Sequence, residues 1–396
     1  LWAGFVLLPQ TDTLATSQVA AAINGAVAVV ALLLAFVAPY RAAADAGPVS
    51  NGEKVNVPVA VAVVAAISGF TALSAEVVWT RLLALLFGST VYTFAIILAV
   101  FLAGLGIGST VAAWASQWMR RPLLWLAGAQ LALLVMVPYA NYKIVRDVPY
   151  RGRPVVAEST DMYRVFKHDT HRAAVALLLP AMFWGASFPL ALAAAARGRG
   201  DAGRLVGQMY AANTLGAILG ALLTVALLVP WIGTQRTQQL IVVGSGIAAV
   251  VALAAERKQW AENAATQLLL TRLTRFAVPI AAAIAVLSVV APPKGMFSRS
   301  LHPIVWRSYY DYLLVREGRA ATVAVEQYYR PDTRYLCVGG KVEASNLPPD
   351  LRNQRLLGHL AALLHPAAKK TLTVGLGTGT TAGSFVLHPE VEQIDI

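Results

Sequence analysis

SGFTALSAEVVWTRLLALLFG, residues 68–88, decides the kind of fold this chain has. It closes an apolar run over 57–86, longer than the roughly 20 residues a helix needs to cross a bilayer. Similar runs lie at about 16–39, 90–116, 122–139, 172–196, 209–230, 238–255 and 276–292, which gives about eight spans. The run over 68–88 also holds two charges, Glu76 and Arg81. An unpaired charge in the hydrocarbon costs a few kcal/mol, so these residues either form a substrate or ion site or sit at headgroup level. The second explanation is the simpler, because about 19 apolar residues from Val57 already reach the far interface.

Composition agrees with a polytopic membrane protein. Apolar residues make up 57% of the chain and charged residues 13%, too greasy a balance for a soluble protein of this length. The net charge of +12 lies in short clusters between apolar runs, a pattern of membrane loops that argues against nucleic acid as a partner. Arg120 and Arg121, then Arg197, Arg199 and Arg204, then Arg257 and Lys258 follow alternate ends of the runs, which places those three loops in the cytoplasm. The mixed-charge segment 140–171 falls on the other side. Cys337 is the only cysteine, so an intramolecular disulfide is excluded. The opening LWAGFVLLP lacks an initiator Met, a basic leader region and a cleavage site, and reads as the tail of a helix already in progress.

An internal repeat organises the spans. Residues 7–32 laid without gaps over 228–253, a constant offset of 221, match at Leu7, Pro9, Thr13, Thr16, Gln18, Gly25 and throughout 28–32. Similarity between Ala/Val-rich helices explains the last run but not the shared Pro, Thr and Gln. The repeat predicts that 1–39 ends one membrane unit and that 57–255 is a complete six-span unit, which leaves 256–292 as a linker whose apolar run is an extra span only if it crosses. Two such units in one orientation follow the plan of major-facilitator-type transporters. Gly104 with Gly108, and Gly216 with Gly220, have the spacing that lets helices approach closely. Asn213 suggests an interhelical hydrogen bond. His168 and His171 flank Asp169 at helical metal-ligand spacing, but no HExxH or CxxC supports them.

After about Pro293 the pattern changes to a soluble one, and 293–396 reads as a separate domain. LLVREGRAATVAVEQ and RYLCVGGKVEAS predict β-strands around turns, and LRNQRLLGHLAALL, 351–364, predicts an amphipathic helix. TLTVGLGTG, 371–379, then predicts a buried strand running into a glycine turn, followed by a helix-like run and a second strand. Gly375, Gly377 and Gly379 would let the backbone pass close beneath a nucleoside, with a helix N-terminus behind them. Such a turn suits adenosylmethionine-type ligands as well as dinucleotides.

The stretch 317–396 resembles the N-terminal part of a spermidine synthase, a polyamine aminopropyltransferase: a small β-domain ending in VGGKVEAS, a helix, the glycine strand, then HPEVE before a second strand. Upstream, SGFTALSAEVVWTR, LLPAMFWGASFPL and GQMYAANTLGAILGALL resemble the membrane half of bacterial proteins that fuse a major-facilitator-like region to such a synthase. The resemblance implies a partial Rossmann-like domain of the class I methyltransferase type, with a small β-subdomain, behind the membrane helices. It also implies transfer of an aminopropyl group from decarboxylated S-adenosylmethionine to a small-molecule amine, without a metal. Cosubstrate contacts then fall to Gly375, Gly377, Thr378 and Gly379, and amine contacts to Asp350 and Gln354. Two positions depart from the family. Thr378 stands where an Asp usually faces the amine end of the cosubstrate, and Gln354 stands where a Tyr usually packs on the diamine. Each change removes charge or aromatic surface suited to a polyamine.

These readings set the expectations. The first is a membrane-anchored aminopropyltransferase-like enzyme in the bacterial inner membrane, its soluble domain cytoplasmic because the cosubstrate is made there. The alternative is a transporter of a small solute or polyamine, using Glu76, Arg81 and Asn213, with a nucleoside-sensing soluble domain; a catalytically silent scaffold is the third. Homo-oligomerisation is compatible with each. A true span over 276–292 would carry the soluble domain away from a cytoplasmic Arg257, so TRLTRFAVPIAAAIAVLSVVAPP is expected to lie in the interface or re-enter. The chain also reads as a fragment, with the ribose-binding acid and the catalytic base expected beyond residue 396. Generic spacing would nominate Asp395 as that acid, but its place between Ile394 and Ile396 argues against it.

Overall fold

A computed structural model describes residues 7, 10–37, 59–147, 162–196, 202–259, 264–297, 310–329, 332–365 and 367–396. Arg197, Arg199 and much of the mixed-charge segment 140–171 lie outside the described residues. The membrane part comprises α1 (Thr13–Val37), α2 (Val59–Phe87), α3 (Val91–Ser116), α4 (Pro122–Tyr142), α5 (Met162–Ala195), α6 (Ala202–Leu223), α7 (Val229–Gln259), α8 (Ala264–Arg272) and α9 (Val278–Ser288). Among the described residues, seven helical runs are long and apolar enough to cross a bilayer.

Two of the eight expected spans share one run. Leu205–Arg257 is 53 residues long, about 80 Å at 1.5 Å per residue and far beyond a single crossing of about 30 Å. It reverses at Gly233, whose φ of 80° and ψ of 168° are not helical. Packing establishes the reversal. Going up α2 from Ala66 to Phe70, the close neighbours on α6 rise from Gly216 to Gly220. On α7 they run the other way, with Thr71 against Gly244 and Trp79 bonded to Gln238. α6 is therefore parallel to α2 and α7 antiparallel to it.

The glycine pairs act in packing. A methyl on Gly104 or Gly108 would overlap Leu178 or Met182 of α5, and one on Gly216 or Gly220 would overlap the α2 backbone. Asn213 departs from expectation: it lies against Gly69, and among the described residues its side chain makes no hydrogen bond. Its backbone fills the gap that Gly69 leaves, so the helices meet without needing a polar link.

The segment expected to lie in the interface is instead a packed helix. α8, a π-helical turn at Leu273–Ala277 and α9 run antiparallel to α7, with Gly246 facing Ala282, Gln239 bonded to the Val286 carbonyl at 3.2 Å and Gln235 to that of Val289 at 3.1 Å. Val278, Ala285 and Val289 are buried in the bundle core. Packed along α7 in this way, the segment runs with the bundle rather than across its end.

The C-terminal part begins with an antiparallel meander of β1 (Tyr310–Glu317), β2 (Thr322–Tyr329), β3 (Asp332–Val338) and β4 (Lys341–Ser345). Ala324 and Cys337 of this sheet belong to the same apolar cluster as Trp79, Leu86 and Val289, so sheet and bundle share one core. Next come α10 (Pro348–Leu364), β5 (Lys370–Leu372), α11 (Thr380–Ser384) and β6 (Gln393–Asp395), with β5 and β6 paired in parallel. This is a single strand–helix–strand unit. The strand was expected to be buried, yet Leu372 of β5 is 71% exposed and Val374, just after it, 94%. Parallel strands are buried when helices cover both faces, and a two-stranded pair has no such cover here.

Candidate functional site

The glycine turn connects β5 to α11. Gly375, Gly377 and Gly379 have φ values of 89°, 54° and 79°, the left-handed region that other L-residues avoid. No atom lies within 4 Å of where a Cβ would stand on Gly375 or Gly377, so this backbone borders open space. α11 is only five residues long and adds little to the turn's electrostatics.

Three of the other predicted site residues meet beside it. The Thr378 hydroxyl donates to Gln354 Oε1 and lies 2.9 Å from Thr380 Oγ1. Gln354 in turn donates through Nε2 to the Ser345 carbonyl at 3.2 Å. Asp350, in the first turn of α10, accepts from both the amide and the hydroxyl of Ser345. Burial tends to raise the Asp350 pKa, but the hydrogen bonds from Ser345 and Gln354 outweigh it and hold the carboxyl below its ordinary value. Gly358 lets α10 approach α11 closely, and the Thr381 hydroxyl donates to the Gln354 carbonyl at 2.9 Å. The turn, Thr378, Gln354 and Asp350 thus form one continuous hydrogen-bonded surface.

Its chemistry is uneven. Open backbone at the glycines suits the flat apolar and polar faces of a nucleoside. The neighbouring side chains at Thr378 and Gln354 are neutral and bonded to each other, and the one carboxylate of the group, Asp350, is committed to Ser345. The arrangement therefore presents open backbone and neutral side chains, with its one carboxylate already bonded. Asp395 closes β6, and its carboxylate accepts from Gln393 Nε2 at 2.9 and 3.0 Å.

The membrane candidates separate. Arg81 reaches out of the bundle and donates to the carbonyls of Gly318 at 2.7 Å and Arg319 at 2.9 Å, in the β1–β2 turn. It thus stands at the end of the bundle that meets the sheet. Glu76 is five residues away, about 7.5 Å along the helix, and among the described residues makes no hydrogen bond or ion pair. Asp169 is held by Arg172 at 3.2 Å, with His168 at 3.7 Å. The guanidinium takes up the carboxylate that a metal would need, and among the described residues no three His, Cys, Asp or Glu converge.

One contact had no signal in the sequence. Glu317, at the end of β1, accepts from the Thr234 amide at 3.2 Å and from its hydroxyl at 3.3 Å. Burial pushes the Glu317 carboxyl above its ordinary value, partly offset by the bonds from Thr234 and by the charge of Arg81. A separate groove of about 570 Å³ between α4 and α9 is lined by residues such as Leu131, Leu134, Ala281 and Ile284 and offers no reactive group. No known family, curated protein or solved structure matches the chain.

Proposed function

We propose that this chain is a membrane-anchored group-transfer protein of the spermidine-synthase type, binding decarboxylated S-adenosylmethionine at the Gly375–Gly379 turn and presenting it to an amine. In that reaction the amine nitrogen bonds to the aminopropyl carbon as its bond to sulfur breaks, and the nitrogen gives up a proton. The left-handed glycine turn between parallel β5 and β6, open to one side and flanked by Gln354 and Thr378, is the observation that carries this reading. Neutral Thr378 and Gln354 argue for an amine acceptor other than an ordinary diamine.

Calorimetric titration of the full chain in detergent with decarboxylated S-adenosylmethionine tests it. Saturable but weak binding is expected, because the acid that would hold the ribose is expected beyond residue 396, and Gly375→Val, which forces a β-branched residue into a left-handed conformation, should weaken it further, by at least about tenfold. No heat with wild type, or equal affinity in the variant, would remove the glycine turn from the account. The transporter reading rests on Glu76, an ionisable group along a membrane-length helix with no partner among the described residues. Loss of solute uptake in Glu76→Gln, with nucleoside binding intact, would favour it.

A further inference from the structure

We propose that Glu317, at the β1–β2 turn, supplies the missing cap of the helix that restarts after Gly233 within α7, and that this contact couples the sheet to the helix reversal at Gly233. The internal repeat exposes the substitution. At the offset of 221, Asp12 corresponds to Gly233, Thr13 to Thr234 and Thr16 to Thr237. One hydrogen bond occurs in both copies: the Thr16 hydroxyl donates to the Asp12 carbonyl at 2.9 Å, and the Thr237 hydroxyl to the Gly233 carbonyl at 2.7 Å.

The copies differ in how the first turn is capped. In α1, Asp12 caps its own helix, its carboxylate accepting from the Ala15 amide at 2.7 Å. In α7 that position is glycine, and it must be, because a φ of 80° with a ψ of 168° is closed to Asp. The chain reverses there, so the helix loses the cap its counterpart carries. A carboxylate nevertheless stands at the site, bonded to the first amide of the helix rather than to that of Arg236, the counterpart of Ala15. Glu317 bonds to the Thr234 amide and hydroxyl, and its Oε1 lies 3.2 Å from where a Cβ on Gly233 would be.

The turn is held from a second helix as well. Arg81 of α2 grips the Gly318 and Arg319 carbonyls, and at the neighbouring β3–β4 turn Gly340 lies against Leu85. A hairpin tip fixed to both α2 and the start of α7 cannot stay in place if those helices separate. Movement of the α6–α7 reversal must either carry the sheet along or break the cap.

Hydrogen–deuterium exchange of the full chain in lipid nanodiscs tests the coupling. Thr234→Pro removes the amide and the hydroxyl that Glu317 accepts from, yet proline is well tolerated at the first position of a helix. It should speed exchange across residues 316–322 by about tenfold or more, although the substitution lies in the bundle. Glu317→Ala should speed exchange at the start of α7, and Glu317→Gln, which keeps an acceptor oxygen, should stay near wild type. Asp12→Ala should affect only the start of α1. Unchanged exchange over 316–322 in Thr234→Pro, or Glu317→Gln behaving like Glu317→Ala, would overturn the proposal. These readouts do not depend on nucleoside binding.

Discussion

Thr378 and Gln354 are 24 positions apart in sequence and form a hydrogen bond in space, which spends on each other the two side chains nearest the glycine turn. Thr378→Asp would end that arrangement by placing a carboxylate beside the open backbone. Under the proposed function it should strengthen binding of decarboxylated S-adenosylmethionine by about tenfold, through charge-assisted contact with its ammonium group. Unchanged affinity by calorimetry would dissociate Thr378 from the amine end. Glu317 and Asp350 make opposite predictions for pH. The Glu317 pKa is raised by folding, so its contribution to stability is fully present below the unfolded value and is lost as pH rises through the folded one. The Asp350 pKa is lowered, so its contribution is present above the unfolded value, about pH 4, and is lost as pH falls through the folded one. Carboxyl titration by NMR should therefore find the Glu317 midpoint above that of Asp350. The Asp350 neighbourhood was legible because its residues sit in one local motif. The Glu317–Thr234 contact was not, because 83 residues separate the two and neither belongs to a recognisable pattern.

Element boundaries follow hydropathy wherever burial alone sets them. The runs at 90–116 and 122–139 predict α3 and α4 closely, since a membrane-length apolar segment satisfies its own backbone only as a helix. Side-chain partnerships are another matter, as Asn213 shows: helix approach there depends on backbone meeting glycine. The glycines therefore divide into two kinds, and the four-residue spacing of Gly104 with Gly108 picks out the packing kind while passing over Gly106. A Cβ on Gly108 would overlap the Met182 carbonyl, whereas one on Gly106, two residues away, would meet nothing within 4 Å. Gly108→Ala should lower bundle stability by about 1–3 kcal/mol, as other overpacking substitutions do. Gly106→Ala should be neutral or slightly stabilising, because alanine is the better helix former. Equal thermal midpoints for the two variants in detergent would mean that α3 and α5 do not pack as described.

At the scale of the whole molecule, two expectations from the sequence cannot both hold. The chain after Arg257 turns back through α8 and α9, so the soluble sheet sits at the end of the bundle opposite Arg120, Arg121 and Arg257. If the loops carrying those arginines are cytoplasmic, the sheet is not. The charge argument for them is weaker than the sequence suggested, because the sheet's end of the bundle carries Lys143, Arg146, Arg164 and Lys167. Orientation depends on the difference in Lys and Arg between the two sides, and acidic neighbours in a mixed segment subtract little from that count. With the charge rule nearly balanced, the proposed cosubstrate sets the expectation, which is a cytoplasmic sheet with 117–121 and the loop after Arg257 outside. Cysteines at Gln117 and Glu343, both exposed and on opposite ends, make the measurement direct. In intact cells a membrane-impermeant maleimide should label Gln117→Cys and leave Glu343→Cys unmodified until the membrane is opened. The reverse pattern would put the glycine turn where its proposed cosubstrate is not made and shift the balance toward the transporter reading. Labelling of both sites in intact cells would mean that α8 and α9 do not complete a crossing, against their burial along α7.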